Sequence, residues 1–492
     1  MKKIHTLLLI TLLMAGCSRA PKSPQLTGEL PVIYPDYRDV EIPVNIAPLN
    51  FRMEEASSAL WVTFTSKGGR MEVTGGESTA IPLKKWHALL ARSAGDTLTV
   101  VVSARYGDEW KQYAPFSITV REQPIDPYLV YRLIAPGYVV WSRMGIYQRN
   151  LTNFDQTPLI TNSLIPGSCV NCHSFRQNDP AHMMFHLRAP GGGTILSREG
   201  IIEKLATKTE KTVSNFVYPY WHPGGKHIAF SVNKISQMFH AVSDKRIEVM
   251  DSESDLVVYD IDGNAVLTSD LISGKAFFET FPAFTPDGRK LVFCRAQALT
   301  IPAQYDSVRY DLCAIAFDPE TGRFGDRIDT LVHASAMGKS VSFPRVSPDG
   351  RSLMYTLSDY GNFSIWHNEA DLHLLDLETL ESKPLDAVNS SRTESYHSWS
   401  SRGGWFVFSS RRDDGLYTRP YFAWLGDSGK VSKPFMLPQK DPRLYLGMME
   451  SFNIPELVKG PVNTNPDQIE KLYYQGAPKQ VEESKELGTG HY

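Results

Sequence analysis

Apolar residues of this chain recur at every second position in short runs, which predicts a protein built of β-strands. Examples are ALWVTFTSK from Ala59, TLTVVVSARYG from Thr97 and DLHLLDLETLES from Asp371. Gly, Pro, Asn and Asp lie between the runs, as expected for turns that connect strands. The pattern therefore predicts an all-β fold.

One phrase occurs four times and predicts the architecture. Its copies are YPYWHPGGKHIAFSV from Tyr218, FPAFTPDGRKLVFCR from Phe281, FPRVSPDGRSLMYTL from Phe343 and YHSWSSRGGWFVFSS from Tyr396. Aligned on Gly225, Gly288, Gly350 and Gly403, the copies recur at intervals of 63, 62 and 53 residues. Each copy predicts a tight turn followed by a strand, with Asp287 and Asp349 as turn formers. Because a further pair of strands follows in the repeated units, the repeat predicts the blades of a β-propeller.

Two further units, from Tyr128 and from Met183, have the same strand-turn-strand rhythm without the repeated phrase. Counting both predicts six blades, and the alternative is a linker domain beside a ring of four or five blades. The strand-like MESFNIPELV from Met449 is a candidate to close the ring. Recurring aromatic residues such as Trp221, Phe284 and Trp399 are interpreted as core.

The flanking regions predict separate units. Residues 36–123 contain short alternating strands with Gly-rich turns, which favour an immunoglobulin-like or fibronectin-like β-sandwich. Residues 124–127 are expected to form a hinge to the propeller, which spans 128–455. Residues 18–35 are expected to be a linker, and the polar residues 459–492 a flexible tail.

The N-terminus, MKKIHTLLLITLLMAGC, predicts export. Two lysines precede an apolar run that is too short to span a bilayer, and small residues precede Cys17. Residues 1–17 are therefore predicted to be a lipoprotein signal peptide with Cys17 as the lipidated residue. An ordinary cleaved signal that ends near Ala20 is the alternative. By resemblance to bacterial lipoproteins, Ser18 after the cysteine implies the outer membrane, facing the periplasm, with the cell surface as the other orientation.

Charge and the remaining cysteines narrow the partners. The formal net charge is -3 and no basic stripe is present, so nucleic acid is not an expected partner. Contact with the membrane is expected only through the lipid. Cys294 and Cys313 lie in two predicted strands, where they form either a disulfide or two buried free thiols.

Cys169, Cys172 and His173 form Cys-x-x-Cys-His, the attachment signature of c-type haem. Two thiols at this spacing add to the porphyrin vinyl groups, and the adjacent imidazole ligates the iron from the proximal side. The motif is predicted in a loop insertion, residues 161–181, between the first two blades. A disulfide between the two cysteines is one alternative to haem.

A zinc site is the other alternative, because His182 and His186 follow the cysteines at a suitable spacing. The segment HMMFHLR favours a strand, however, which would place these histidines about 13 Å apart. For a haem, the candidate distal ligands are Met183, Met184, His182 and His186, with Met144 and His222 as weaker candidates.

The Pro-Asp-Gly-Arg/Lys phrases resemble the WD40-like repeats of TolB-like six-bladed propellers, over residues 216–439. The whole chain is similar to exported bacterial lipoproteins in which such a propeller carries one Cys-x-x-Cys-His. The resemblance implies a six-bladed TolB-like propeller behind the sandwich domain, located in the cell envelope, with haem c bound at Cys169, Cys172 and His173.

Two functions follow as hypotheses. The first is a lipid-anchored monohaem protein whose propeller docks a redox or envelope partner. The second is a haem-free propeller scaffold that binds a protein or glycan, with a Cys169–Cys172 disulfide or a zinc site. Peptidase activity is not expected, because the sequence contains no G-x-S-x-G, and no other catalytic residues are predicted.

Overall fold

The computed structural model describes residues 20–135, 143–210, 212–241, 247–427 and 429–484. The predicted signal peptide, residues 1–17 with Cys17, lies outside the described residues. Over the described ranges, none of the helices combines the length and the apolar character needed to cross a bilayer.

The N-terminal domain is a forked seven-stranded β-sheet with one helix packed on it and a separate two-stranded sheet. Its elements are β1 (Gln25–Leu26), β2 (Ile33–Tyr34), β3 (Val40–Pro43), β4 (Arg52–Met53), β5 (Ala59–Ser66), β6 (Gly69–Gly75), α1 (Leu83–Arg92), β7 (Thr97–Tyr106), β8 (Glu109–Gln112) and β9 (Phe116–Arg121). Strand β7 pairs with β5 on one side and with both β8 and β9 on the other. Helix α1 buries Trp86 edge-on against Phe64, with 5.5 Å between ring centroids. The immunoglobulin-like assignment of this domain stays a prediction.

Six four-stranded units follow and form the blades of a propeller. The first three blades contain β10 (Tyr128–Ile134), β11 (Met144–Asn150), β12 (Gln156–Thr161), β13 (Cys169–Arg176), β14 (Asp179–Arg188), β15 (Gly193–Arg198), β16 (Ile201–Ala206), β17 (Phe216–Trp221), β18 (His227–Phe239), β19 (Ile247–Asp260) and β20 (Ala265–Leu267). The prediction of an all-β, six-bladed propeller is confirmed.

The remaining blades contain β21 (Phe277–Phe284), β22 (Lys290–Gln297), β23 (Asp311–Asp318), β24 (Arg323–Val332), β25 (Ser340–Val346), β26 (Ser352–Ser358), β27 (Asp371–Asp376), β28 (Ser382–Pro384), β29 (Glu394–Trp399), β30 (Trp405–Ser410), β31 (Arg419–Trp424) and β32 (Phe435–Met436). Helix α2 (Leu444–Gly447) and strand β33 (Ser451–Val458) follow the sixth blade along the chain. Short 3-10 helices at Tyr305–Ser307, Ser335–Met337 and Ser364–Trp366 lie in loops.

The ring closes through a strand from the far end of the chain. Strand β33 pairs antiparallel with β10 and so becomes the innermost strand of blade 1. Phe452 of β33 packs against Tyr131 of β10, with 4.7 Å between ring centroids. The expectation that the segment from Met449 closes the ring is confirmed.

The repeated turns are built as the sequence predicts. Asp287 accepts a hydrogen bond from the Arg289 backbone N–H at 3.0 Å, and Asp349 accepts one from the Arg351 backbone N–H at 3.1 Å. Both aspartates therefore form turns between the first and second strands of their blades.

The N-terminal domain is fixed against blade 6. Asp126 lies in the predicted hinge, and its carboxylate accepts hydrogen bonds from the Ser401 backbone N–H and hydroxyl, both at 2.7 Å. Lys433 of blade 6 pairs with Asp36 of the N-terminal domain at 2.8 Å. Asp126 thus binds the connection to blade 6, and the hinge at residues 124–127 stays a prediction.

The predicted flexible tail is ordered over residues 459–484, so that prediction is wrong for this part. The segment forms α3 (Pro466–Gln475), β34 (Lys479–Gln480) and β35 (Glu482–Glu483). Asn465 caps α3, because its side chain accepts hydrogen bonds from the backbone N–H groups of Asp467 and Gln468. The two short strands extend the outer edges of blades 2 and 3.

Candidate functional site in the propeller channel

The innermost strand of each blade is kinked at one equivalent position. A residue with φ between 39° and 54° lies there, where the pairing with the second strand of the blade skips. A proline or a histidine follows it in each case. The six kink residues are Cys172, Tyr218, Phe281, Phe343, Tyr396 and Ile454. Such a bulge leaves residues unpaired and bends the strand.

Cys172 is therefore the blade 2 member of a structural set. The haem signature lies in β13, the innermost strand of its blade, and the predicted loop insertion at 161–181 is wrong for this segment. Cys172 to Phe175, CHSF, is the counterpart of Tyr396 to Trp399, YHSW, in blade 6. That similarity is a sequence signal for the correct register, and it was missed because the Pro-Asp-Gly phrase is absent from blade 2.

The kink residues pack against one another inside the channel. Ring centroids are 4.4 Å apart between Tyr218 and Phe281, 4.5 Å between Phe281 and Phe343, and 4.2 Å between Phe343 and Tyr396. Cys172 lies near the Tyr218 and Tyr396 phenols, whose pKa values are both raised, first by burial and further by this thiol. We call these six side chains the channel ring.

Two arginines lie near the cysteines. Arg132 of blade 1 donates a hydrogen bond to the Asn171 side chain, which also accepts from the Cys172 backbone N–H at 2.8 Å. Burial raises the pKa of Cys172, and the charges of Arg188 and Arg132 offset only part of that shift. The Cys172 thiol is thus held protonated and is neither a good nucleophile nor a ready metal ligand.

His173 points away from the channel ring, into the contact between blades 1 and 2. It is 1% exposed, and neither ring nitrogen has a hydrogen-bond partner of normal geometry among the described residues. Burial lowers its pKa to about 4, although the nearby backbone of Ile454 and Val130 offsets part of the shift. His173 is therefore uncharged at neutral pH.

The four predicted distal ligands lie in β14, the strand that HMMFHLR predicts. Their side chains do not share one environment. Met183 joins the core between blades 1 and 2, and Met184 joins the core between blades 2 and 3. His182 pairs with Asp179 at 2.8 Å, and His186 lies 2.8 Å from the Thr194 hydroxyl. Within the described part of the chain, no three His, Cys, Asp or Glu side chains are placed to hold a metal ion. The four residues of the zinc alternative are therefore not brought together.

The two weaker candidates for a distal haem ligand, Met144 and His222, lie within the packing of the blades. Met144 is buried in β11 of blade 1, and the His222 Nε2 lies 3.1 Å from the Gly288 carbonyl oxygen.

Cys294 pairs with Leu312 across β22 and β23, whereas Cys313 pairs with Phe293. Because successive side chains in a strand alternate between faces, the two thiols enter different cores. They are free thiols, and the disulfide alternative is wrong.

The residue types for a c-type haem are present, but the fold around them does not accommodate one. Cys169, Cys172 and His173 are 6%, 3% and 1% exposed. A cavity of about 230 Å³ lies further along the channel, and none of the three residues lines it. A macrocycle bonded to Cys172 would have to displace members of the channel ring.

Comparison with known proteins gives no family: no family model and no curated protein matches the chain. Solved structures match at low similarity. An oligogalacturonate lyase in complex with manganese is 14% identical over 62% of this chain and 84% of its own, with a TM-score of 0.33. The dipeptidyl peptidase 4 of Porphyromonas gingivalis is 10% identical over 61% of this chain and 46% of its own, with a TM-score of 0.30. Prolyl oligopeptidase B from Galerina marginata is 9% identical over 80% of this chain and 54% of its own, with a TM-score of 0.34. At these values the matches say nothing about activity or ligand.

The 230 Å³ cavity opens at the channel mouth where the innermost strands end, and we call it the cleft. Its walls include the terminal residues Trp221, Phe284, Val346 and Trp399 of four innermost strands. The indole N–H groups of Trp221 and Trp399 donate to backbone carbonyls of the preceding blades, at 3.3 and 3.2 Å. These aromatic residues are core, as predicted, and also form the floor of the cleft.

A hairpin lies at the opposite mouth of the channel and leaves little space there. The long hairpin of β18 and β19 reaches blade 5, where Glu248 accepts a hydrogen bond from the Tyr360 hydroxyl at 2.7 Å and lies 3.1 Å from His367 Nε2. Asp251 accepts a hydrogen bond from the Asn233 side chain at 2.7 Å, and burial raises its pKa to about 7. The cavity left there is about 20 Å³, the size of one water molecule. Of these two spaces among the described residues, the cleft is therefore the one large enough for a ligand.

Proposed function

We propose that the protein is an exported lipoprotein whose propeller is a haem-free scaffold that binds an envelope partner. The outer membrane, the periplasmic orientation and lipidation at Cys17 are parts of this proposal. The observation that carries the haem-free assignment is the position of Cys172 in the channel ring, where five other blades supply Tyr, Phe or Ile. A residue that completes a packed ring has a structural reason to be buried and needs no cofactor.

Absorption spectroscopy tests the haem-free assignment. The protein is produced with a c-type cytochrome maturation system and purified under denaturing and native conditions. We expect no covalent Soret band, and no spectral difference between the wild type, Cys172→Ser and the control Cys294→Ser. A covalent Soret band that Cys172→Ser abolishes and Cys294→Ser keeps would overturn the assignment.

The second candidate is the monohaem protein that docks a redox partner. The observation in its favour is His173, since a buried imidazole whose two nitrogens have no hydrogen-bond partner of normal geometry among the described residues is unusual and would suit an axial ligand. This candidate requires the innermost strand of blade 2 to be arranged differently when haem is attached. The same absorption experiment decides between the two candidates.

Lipidation has its own test. The chain should incorporate a labelled fatty acid and fractionate with membranes, and Cys17→Ser should lose both properties. A wild-type protein that stays unlabelled in the soluble fraction would contradict the anchor and leave the binding function standing.

A further inference from the structure

Two cationic groups, Arg345 and Lys459, and one acidic group, Glu456, line the cleft. The Arg345 guanidinium lies over the Tyr220 ring, 5.1 Å from its centroid, and one of its N–H groups donates to the Pro344 carbonyl at 3.0 Å. Within the described residues, Arg345 has no ion pair at 4.0 Å or less. A guanidinium has five donors, so Arg345 keeps several of them for a ligand. Lys459 adds a second, exposed cation at the rim.

Glu456 is the acidic group in the cleft, and it does not neutralise the arginine. Its Oε2 accepts a hydrogen bond from the Phe175 backbone N–H at 3.2 Å. Burial raises the pKa of Glu456 to about 7, and the charge of Arg345 offsets only part of that shift. At neutral pH this carboxyl is therefore only partly ionised, and the cleft is electropositive.

The remaining wall is mixed and narrow. Its apolar part is formed by side chains of Phe175, Val346 and Leu457 and by the rings of Pro223, Pro286 and Pro348, and polar side chains such as Gln177, Thr285 and Ser398 line the rest. Trp221 and Trp399 are only 2% and 6% exposed, so they present little ring face for stacking on a sugar. The volume lies below the range of roughly 300–1,000 Å³ that holds drug-sized ligands. One terminal residue of a longer chain fits this space better than an internal segment.

We propose that the cleft captures the C-terminal carboxylate of a partner protein whose last residue is apolar. Arg345 and Lys459 bind the carboxylate, because a guanidinium pairs with a carboxylate through two parallel hydrogen bonds. Glu456 accepts the backbone N–H of the bound terminus, and the apolar part of the wall packs against the last side chain. The inference rests on the proposed scaffold function and specifies its ligand.

Fluorescence anisotropy with defined peptides tests this proposal on the full-length mature protein. The probes are N-terminally labelled hexapeptides that differ only in the last residue, Leu, Val, Phe, Ser or Lys, each with a free carboxylate or a C-terminal amide. We expect the free acids that end in Leu, Val or Phe to bind at least tenfold more tightly than their amides. Arg345→Gln should weaken this binding at least tenfold and Lys459→Gln about threefold.

The matched control is Arg327→Gln, since Arg327 lies in the outer strand of blade 4 and its side chain is 80% exposed. It should leave binding unchanged, and circular dichroism should show that all variants are folded. Absence of binding to every free acid up to 1 mM overturns the inference, as does equal binding of acids and amides. Glucuronate that competes better than the peptides overturns the peptide class in favour of sugar acids. The peptide-binding result and the absorption spectrum are independent measurements. The experiments therefore distinguish a wrong ligand from a wrong haem-free assignment.

Discussion

Replacement of His173 by Gln should reduce the protein's loss of stability in acid. The imidazole has a pKa of about 4 in the folded protein and about 6.5 when unfolded. Below pH 6.5 the unfolded chain therefore binds a proton at this histidine that the folded protein does not bind. As the pH decreases, the free energy of unfolding falls until the pH reaches about 4. A pH of 5 lies about 1.5 pH units below the pKa of the unfolded histidine. At that pH this one histidine therefore lowers the free energy of unfolding by roughly 2 kcal/mol.

Urea unfolding at pH 8 and pH 5 measures this effect in the wild type, His173→Gln and the control His333→Gln, which changes an exposed histidine. The packing cost of a substitution is present at both pH values and cancels in the difference. We expect the decrease between pH 8 and pH 5 to be about 2 kcal/mol smaller in His173→Gln and unchanged in His333→Gln. Decreases that agree within about 0.5 kcal/mol for all three proteins would refute the burial of an uncharged imidazole between blades 1 and 2.

Three further predictions concern the ring, the tail and the remaining thiols. Phe343→Ala should lower the free energy of unfolding by about 3–5 kcal/mol, measured by urea denaturation, because Phe343 packs between two ring neighbours; a loss below 1 kcal/mol would contradict a packed ring. Asn465→Ala should destabilise α3 by about 0.5–2 kcal/mol and speed amide exchange over residues 466–475, and unchanged exchange would argue against the cap. Cys294 and Cys313 should react with iodoacetamide only after denaturation, and a non-reduced protein that stays unlabelled in denaturant would indicate a disulfide.

Blades 3 to 6 could be predicted because each carries its own turn phrase. In the blades of Phe281 and Phe343, the tight turn and the alternating strand depend on residues that are close in sequence. Local sequence patterns therefore predict them. Blade 2 lacks the phrase, and its kink is filled by Cys172 and His173 in place of an aromatic residue and a proline. The same two residues complete the haem signature, so the pattern indicated a cofactor loop where the fold has an innermost strand.

The tail was mispredicted because its few apolar residues are spread through a polar segment, where Val462, Ile469 and Val481 are buried against the blades. Strands β34 and β35 add to the exposed edges of blades 2 and 3, where unpaired backbone groups accept another strand. Backbone pairing of this kind is independent of side-chain hydrophobicity. A polar composition therefore predicted disorder for a segment that the propeller edges hold in place.

The cleft had no signal in the sequence because its members meet only when the ring closes. Arg345 comes from blade 5 and Glu456 from the strand that closes blade 1, so they are more than a hundred residues apart in the chain. Each residue alone looks like an ordinary charged residue near a strand end. Such a site depends on the order of the blades around the axis, which short-range patterns do not report.

The Cys-x-x-Cys-His signature is defined by residue types at a fixed spacing. Haem attachment also requires that the three side chains point to the same site. At the kink of β13, the adjacent side chains of Cys172 and His173 have different neighbours. Cys172 accordingly enters the channel ring, and His173 enters the contact between blades 1 and 2. His397 occupies the position of His173 in blade 6, where no cysteine pair precedes it, and it is also buried. A histidine at this position thus also occurs in a blade without the haem signature, which agrees with a packing role for His173 in the proposed haem-free protein.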